Sequence, residues 1–145
     1  MNTGYKKPDI KSFYYDSEIE SIPSLDGKTI AITGTTSGTG FVAAKTVAKK
    51  GARVLLLNRK SDRSKRAYDL LKSYGFVGDF VNIECDLQSF DSVKKAARTT
   101  TDLCKDGLDV LCNNAGIMAF KDQATTDGFD IQMQTNHLSH FLLTK

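Results

Sequence analysis

Residues 28–40 read Lys-Thr-Ile-Ala-Ile-Thr-Gly-Thr-Thr-Ser-Gly-Thr-Gly, a short apolar run followed by three closely spaced glycines. The β-branched run predicts a buried strand over residues 28–33. Gly34 permits a tight turn, Gly38 lets a backbone approach a phosphate, and Gly40 lets the next helix pack closely on the sheet. The position of the turn between a first strand and a first helix predicts a dinucleotide site. The alternative is a tight turn that binds no ligand.

The same turn offers hydrogen-bond donors to a pyrophosphate. The first N–H groups of a helix have no partner inside the helix and favour an anion. The hydroxyls of Thr36, Ser37 and Thr39 are further donors. No Gly-Lys-Ser or Gly-Lys-Thr follows, so the pattern excludes a P-loop.

Predicted strands and helices alternate along the rest of the chain. Strands are predicted over residues 52–57, 80–84 and 108–112, and helices over residues 41–50, 62–74, 89–105 and 126–145. The strand runs are almost continuously apolar, as expected for strands covered by helices on both faces. The predicted fold class is therefore α/β, a Rossmann-type doubly wound parallel sheet. Four strands are visible, in the order 3-2-1-4, so we expect the sheet to be incomplete.

The last predicted helix has its apolar residues at helical spacing. We expect most of its buried face to come from these residues: Phe129, Met133, Leu138, Phe141 and Leu142.

Composition and charge narrow the class of protein. The chain has 145 residues, 40% apolar and 26% charged, which is typical of one globular domain. Its net charge of +3 is too small to indicate nucleic-acid binding. Its apolar runs are far shorter than the ~20 residues of a membrane-spanning helix, so we expect no transmembrane segment. Residues 1–27 have no signal-peptide core and are interpreted as an extension before a domain at 28–145.

Single polar residues suggest no metal site and a reducing compartment. Cys85, Cys104 and Cys112 form no Cys-x-x-Cys pair and are interpreted as reduced core thiols, which favours the cytoplasm. His137 and His140 have no acid or cysteine at ligand spacing, so they are interpreted as ordinary helix residues.

The end of the second strand predicts which dinucleotide binds. An acid at this position would bind the ribose 2′-hydroxyl of NAD, but the chain has Asn58 and Arg59 there. The Arg59 guanidinium suits a 2′-phosphate, and Arg63 adds to the positive field. Lys65 and Arg66 are interpreted as the solvated start of a helix. The predicted cofactor is NADP(H).

Polar residues also follow the third and fourth strands. Asp86, next to Leu87, could accept a hydrogen bond from an adenine amino group or cap the following helix. The tetrapeptide Asn113-Asn114-Ala115-Gly116 suits a ligand crevice, although asparagine also stabilises turns unaided. Asn136 lies inside a predicted helix, where asparagine is unfavourable, and this indicates a role.

These motifs, in this order and spacing, resemble the short-chain dehydrogenase/reductase family over residues 28–145. Residues 127–144 and the pair Asn58-Arg59 look most like the retinol dehydrogenase-like branch, which has light-dependent protochlorophyllide reductases among its relatives. The resemblance implies an NADP(H)-dependent oxidoreductase that interconverts an alcohol and a carbonyl on a lipophilic substrate. In that family, Asn136 would be the asparagine of an Asn-Ser-Tyr-Lys tetrad, helping to position a water that links the lysine to solvent.

The motifs and the resemblance together predict a set of residues that contact the cofactor. They are Gly34, Thr36, Ser37, Gly38, Thr39, Gly40, Asn58, Arg59, Asp86, Leu87, Asn113, Ala115 and Gly116.

One part of the family pattern is missing. The family's serine and Tyr-x-x-x-Lys lie beyond the asparagine, whereas all five tyrosines of this chain lie upstream of Asn136. We therefore expect these 145 residues to be a fragment that does not catalyse hydride transfer by itself. The alternatives are a non-catalytic NADP(H)-binding or interaction protein and, less favoured, a protochlorophyllide reductase-like double-bond reductase. A full-length protein could form a homo-oligomer or associate with a membrane through a further C-terminal part.

Overall fold

Four strands alternate with helices in the computed structural model, which describes residues 14–145. The elements are α1 (Tyr15–Ser21), β1 (Thr29–Thr33), α2 (Gly38–Lys49), β2 (Arg53–Asn58), α3 (Asp62–Ser73), β3 (Phe80–Glu84), α4 (Phe90–Leu103), β4 (Val110–Cys112), α5 (Ile131–Met133), a π-helical segment (Gln134–Leu138) and α6 (Ser139–Thr144). The first thirteen residues of the predicted extension lie outside the described residues.

All four strands are parallel and lie in the order β3-β2-β1-β4, as the sequence predicts. In the centre of the sheet, Ile32 is in register with Leu56 on one side and with Cys112 on the other. Because the strands are parallel, their carboxyl ends meet at one edge of the sheet. The chain order reverses beside β1, which is where ligands bind in open α/β sheets.

Helices cover both faces of the sheet, which confirms the predicted doubly wound architecture. On one face, alternate residues of β1 and β2 pack against α2, α3 and β3; this cluster contains Ile30, Ile32, Ala44, Ala48, Ala52, Val54, Leu56, Leu71 and Phe80. On the other face, the remaining residues of these strands pack against α4; this cluster contains Ala31, Leu55, Leu57, Ile83, Cys85, Leu87, Val93 and Ala96. Only β1 and β2 are buried almost throughout, because β3 and β4 form the edges of the sheet.

The last helix begins later than the sequence predicts. A helix from residue 126 is wrong because Gly128 has a φ of +85° and Ala124 forms an antiparallel bridge with Asp130. The Asp130 carboxylate then caps α5, accepting hydrogen bonds from the N–H groups of Gln132 at 3.0 Å and Met133 at 2.8 Å. A turn and a cap therefore replace the first predicted helical turn.

The buried face of this helix also differs from the prediction. Phe129, Met133 and Phe141 are exposed, and Leu138 and Leu142 are half-buried. The residues that face the core are Ile131, Gln134, Thr135, Ser139 and His140. The reason is the π-helical segment, in which the Ser139 N–H donates to the Gln134 carbonyl five residues earlier.

Part of the N-terminal extension packs on the domain. The Tyr15 hydroxyl lies 2.9 Å from Thr46 Oγ1 on α2, and Ile19 of α1 is buried. The Leu25 N–H donates to the Lys50 carbonyl at 2.8 Å. These contacts attach α1 and the segment after it to α2.

Asp109 fastens the edge strand β4 to β1. Its Oδ1 accepts a hydrogen bond from Lys28 Nζ and its Oδ2 accepts one from the Thr29 N–H, both at 2.8 Å. The bond from Lys28 and then the bond from Thr29 lower the pKa of the Asp109 carboxyl below its ordinary 3.8. A carboxyl with a lowered folded pKa stabilises the fold above its unfolded pKa, and this contribution is lost as the pH falls through the folded value.

We expect Asp109→Asn to lower the melting temperature at pH 7 because the ion pair is lost. The difference from the wild type should shrink as the pH falls below about 3.8, where the wild-type carboxyl also loses its charge. Thermal melts at pH 7 and at successive lower pH values measure this, with Asp106→Asn in the same loop as the control. A difference that is equally large at every pH would contradict the assignment.

Candidate functional site

A cleft of about 450 Å³ opens along the carboxyl edge of the sheet. Eight residues predicted from four separate motifs line it: Gly34, Thr36, Asn58, Arg59, Asp86, Leu87, Ala115 and Gly116. The loops after all four strands therefore contribute to one site.

The other predicted residues lie around this cleft without lining it. Ser37, Gly38 and Thr39 are exposed at the start of α2, and Gly40 is buried beneath the turn. Asn113 lies toward α6, where its Nδ2 donates to Thr144 Oγ1 at 3.1 Å. The cofactor roles of these residues remain predictions.

The glycine-rich turn fits tightly against the chain that follows β4. Gly34 has a φ of +72°, and a Cβ at this position would lie 2.8 Å from the Ala115 Cβ. A Cβ at Gly40 would lie 2.4 Å from both the Gly34 carbonyl oxygen and Asn114 Nδ2. Both glycines are therefore required by close backbone approach, as the sequence predicts.

Thr33 joins the turn, the chain after β4 and α6. Its side chain is fully buried, and its Oγ1 accepts hydrogen bonds from the N–H groups of Asn114 and Ala115, each at 3.0 Å. His140 Nε2 lies 2.9 Å from the same oxygen, and His140 Nδ1 lies 3.2 Å from the Asn136 carbonyl. Because that carbonyl can only accept, Nδ1 is assigned the proton and Nε2 accepts from the Thr33 hydroxyl. This one hydroxyl thus uses its proton and both lone pairs.

Asn136 lies in the π-helical segment and holds the loop after β4. Its Nδ2 donates to the Ile117 carbonyl and its Oδ1 accepts from the Ile117 N–H, both at 2.8 Å. Such widened turns inside helices are frequent at functional sites. The side chain therefore positions Ile117, which lines the cleft. Its predicted catalytic role remains a prediction.

Asn58 lines the cleft, but its amide is bonded to the protein. Its Oδ1 accepts from the Thr35 N–H at 2.8 Å and its Nδ2 donates to Thr35 Oγ1 at 2.7 Å, and both residues are buried. Asn58 therefore fixes the glycine-rich turn to the end of β2.

Asn114 builds the site and was missed as a site residue by the sequence analysis. Its Nδ2 donates to the Thr33 carbonyl at 2.9 Å and lies 3.3 Å from the Gly34 carbonyl. Neighbouring side chains of an extended chain point to opposite sides, so Asn113 and Asn114 cannot both face the turn. The sequence carries no signal for which of the two does.

The loop after β3 is fixed by hydrogen bonds to two helices. Asp86 Oδ1 accepts from the Gln88 N–H at 2.9 Å, and the Asp86 N–H donates to Ser92 Oγ at 2.9 Å. The alternative that Asp86 caps α4 is wrong, because the capping side chain is Ser89. The Leu87 carbonyl accepts from the buried Ser139 hydroxyl at 2.6 Å.

Cys85 contributes a neutral wall to the cleft. Burial, and then the charge of Asp86, raise the pKa of its thiol to about 12. Cys85, Cys104 and Cys112 are all free thiols, as predicted.

A Tyr-x-x-x-Lys spacing does occur once in the chain, at Tyr68 and Lys72 of α3. The Tyr68 hydroxyl donates to the Phe80 carbonyl at 3.5 Å, and Lys72 Nζ lies 2.7 Å from Asp79 Oδ1. The hydrogen bond to Asp79 raises the pKa of Lys72. Neither side chain lines the cleft, so this pair is not the one that the family pattern requires.

Two further properties concern the described residues as a whole. Within residues 14–145, no three His, Cys, Asp or Glu side chains come together as a set of metal ligands. Over the same range, no helix combines the length and the apolar character needed to cross a bilayer.

A family model described as short chain dehydrogenase matches residues 28–145. An uncharacterized oxidoreductase of Schizosaccharomyces pombe is 36% identical over 124 residues, which cover 86% of this chain and 36% of that protein. Human retinol dehydrogenase 14 is 36% identical over 133 residues, which cover 83% of this chain and 39% of that protein. The chain thus spans well under half the length of these two relatives.

Solved structures show the same fold. The crystal structure of an uncharacterized protein from Mycobacterium paratuberculosis matches with a TM-score of 0.75 and 39% identity, over 87% of this chain and 43% of that one. The RhlG/NADP active-site complex of Pseudomonas aeruginosa matches with a TM-score of 0.67 and 30% identity, over 83% of this chain and 46% of that one.

Proposed function

We propose, from the premise that the chain belongs to the short-chain dehydrogenase family, that its cleft binds NADP(H) for the interconversion of an alcohol and a carbonyl. The observation that carries the NADP(H) assignment is the position of Arg59. It lies directly after β2 and lines the cleft, where an NAD-binding protein of this fold has an acid. Asp86, after β3, is the one carboxylate among the residues that line the cleft. A guanidinium there favours the additional phosphate of NADP(H).

The glycine-rich turn fits the pyrophosphate of such a cofactor. Gly34 and Gly40 leave no side chain between the backbone and the cleft, and the Ser37 side chain makes no capping bond to α2. The first N–H groups of α2 are therefore left to an anion. When bound, the cofactor supplies or accepts the hydride, and these residues bind and orient it.

The other end of the cleft supports a lipophilic substrate. Ile117, Phe120 and Ile131 line it near Gly116, and the Asn136 amide holds Ile117 in place. Apolar side chains around a few polar groups are typical of small-molecule sites. The similarity to human retinol dehydrogenase 14 favours the same class of substrate.

We expect Arg59→Ala to weaken NADPH binding at least about tenfold more than NADH binding, because a charge-assisted hydrogen bond to the 2′-phosphate is lost. Dissociation constants from isothermal titration calorimetry measure this. Lys60→Ala is the control, since Lys60 lies in a neighbouring groove rather than in the cleft. Equal losses for the two cofactors would show that Arg59 does not bind the 2′-phosphate.

The second candidate is an NADP(H)-binding protein without catalysis. It is favoured by the position of Tyr68 and Lys72, the chain's one Tyr-x-x-x-Lys pair, away from the cleft. A turnover assay with NADPH and a long-chain aldehyde separates the two, because a catalyst oxidises the bound cofactor and a binding protein does not.

A further inference from the structure

The structure separates the basic residues that follow β2 into two environments. Arg59 and Arg63 line the cleft. Lys65 lies in the groove beside α3 and β3, which also contains Asp62 and Glu84. The positive charge that faces the cleft is therefore carried by two arginines, while the carboxylates of this region face the other groove.

Arg63 reaches from α3 to the glycine-rich turn. One of its guanidinium nitrogens, Nη2, donates a hydrogen bond to the Ser37 hydroxyl, 26 residues earlier in the chain. This bond restricts the long side chain to the mouth of the cleft and uses one of its several N–H donors. A guanidinium that is already held in place loses less conformational freedom when it binds an anion.

The backbone at the start of α3 does not compete for that anion. Ser61 Oγ accepts from the Ser64 N–H at 3.1 Å, and the Ser61 N–H donates to Ser64 Oγ at 3.2 Å. This capping box satisfies two donors of the helix start. An anion at this end of the cleft is therefore bound chiefly by side chains.

We propose that Arg63 is a second specificity-determining residue, which binds the 2′-phosphate of NADP(H) together with Arg59. The inference rests on the proposed function, because it assigns a further residue to the same cofactor. A 2′-phosphate carries close to two negative charges and several acceptor oxygens, which match two planar guanidinium groups better than one. The bond to Ser37 gives Arg63 its position beside the turn.

The test compares two ligands that differ only in the 2′-phosphate, adenosine 2′,5′-bisphosphate and AMP. Isothermal titration calorimetry on the purified protein gives their dissociation constants. Arg63→Ala should weaken binding of the bisphosphate at least about tenfold and binding of AMP less than about twofold. Lys65→Ala is the matched control, because it removes a cation from the same helix but outside the cleft, and should change neither ligand by more than about twofold.

Each outcome decides between the two levels of the proposal. If the wild type prefers the bisphosphate, Arg59→Ala loses the preference and Arg63→Ala keeps it, the inference is overturned and the proposed function stands. Equal weakening of both ligands by Arg63→Ala also overturns the inference, since Arg63 would then only support the turn. A wild type with no preference for the bisphosphate overturns the NADP(H) assignment itself.

A second variant covers the case in which Arg63→Ala lowers the melting temperature. Arg63→Lys keeps the charge but loses the planar fork, so it should retain part of the preference for the bisphosphate. A lysine variant with the full wild-type preference would overturn the assignment of a bidentate arginine contact.

Discussion

Replacing Gly40 with alanine is expected to weaken binding of NADPH and NADH alike and to destabilise the fold. The added methyl group would lie 2.4 Å from the Gly34 carbonyl oxygen and from Asn114 Nδ2, well inside contact distance. Neither atom can move freely, because Asn114 Nδ2 is itself bonded to the Thr33 carbonyl. Overpacking of this kind costs about 1–3 kcal/mol, and moving the turn by this means should weaken cofactor binding at least about tenfold.

Thermal melting and calorimetry with each cofactor measure both effects. Gly116→Ala is the control for stability, because the nearest atom to its added methyl group is Asn136 Oδ1 at 3.5 Å, an ordinary contact. A Gly40→Ala protein that melts and binds like the wild type would show that the turn has more room than its geometry indicates.

Thr33→Val is expected to have the second large effect, this time on stability. Valine has nearly the same shape as threonine but lacks the hydroxyl that bonds the N–H groups of Asn114 and Ala115 and His140 Nε2. Buried polar groups without partners cost about 1–3 kcal/mol each, so the free energy of unfolding should fall by at least about 2 kcal/mol.

Urea unfolding of the wild type, Thr33→Val and Thr33→Ser isolates the contribution of the hydroxyl. Serine keeps the hydroxyl and loses one methyl group, which costs about 1 kcal/mol. The expected order of stability is wild type, then serine, then valine. A valine variant as stable as the serine variant would mean that the three bonds contribute little.

The sequence predicted the strand order and the glycine-rich turn because their signals are local. Continuous apolar runs mark the central strands, and Gly34 and Gly40 are required by contacts within one βα unit and its neighbouring loop. Those contacts depend on backbone approach, which glycine spacing indicates directly.

The assignment of single side chains was harder because it depends on tertiary packing. Which of Asn113 and Asn114 faces the turn, and which cations face the cleft, are set by the orientation of whole elements. A helical signal for Arg63 was present: the residues at positions 63, 66, 67 and 70 share one face of α3 and line the groove beside Ser37.

The π-helical segment determines how the last helix meets the core. Gln134 and Thr135 are buried before it, and Ser139 and His140 are buried after it, so each pair recurs after five residues. In a regular α-helix, five residues advance about 140° beyond a full turn, and the two pairs would point in clearly different directions. The widened turn absorbs this angular mismatch. Its consequence is that one continuous helix delivers the Ser139 hydroxyl to the loop after β3 and the His140 ring to Thr33, while the Asn136 side chain remains on the side of Ile117.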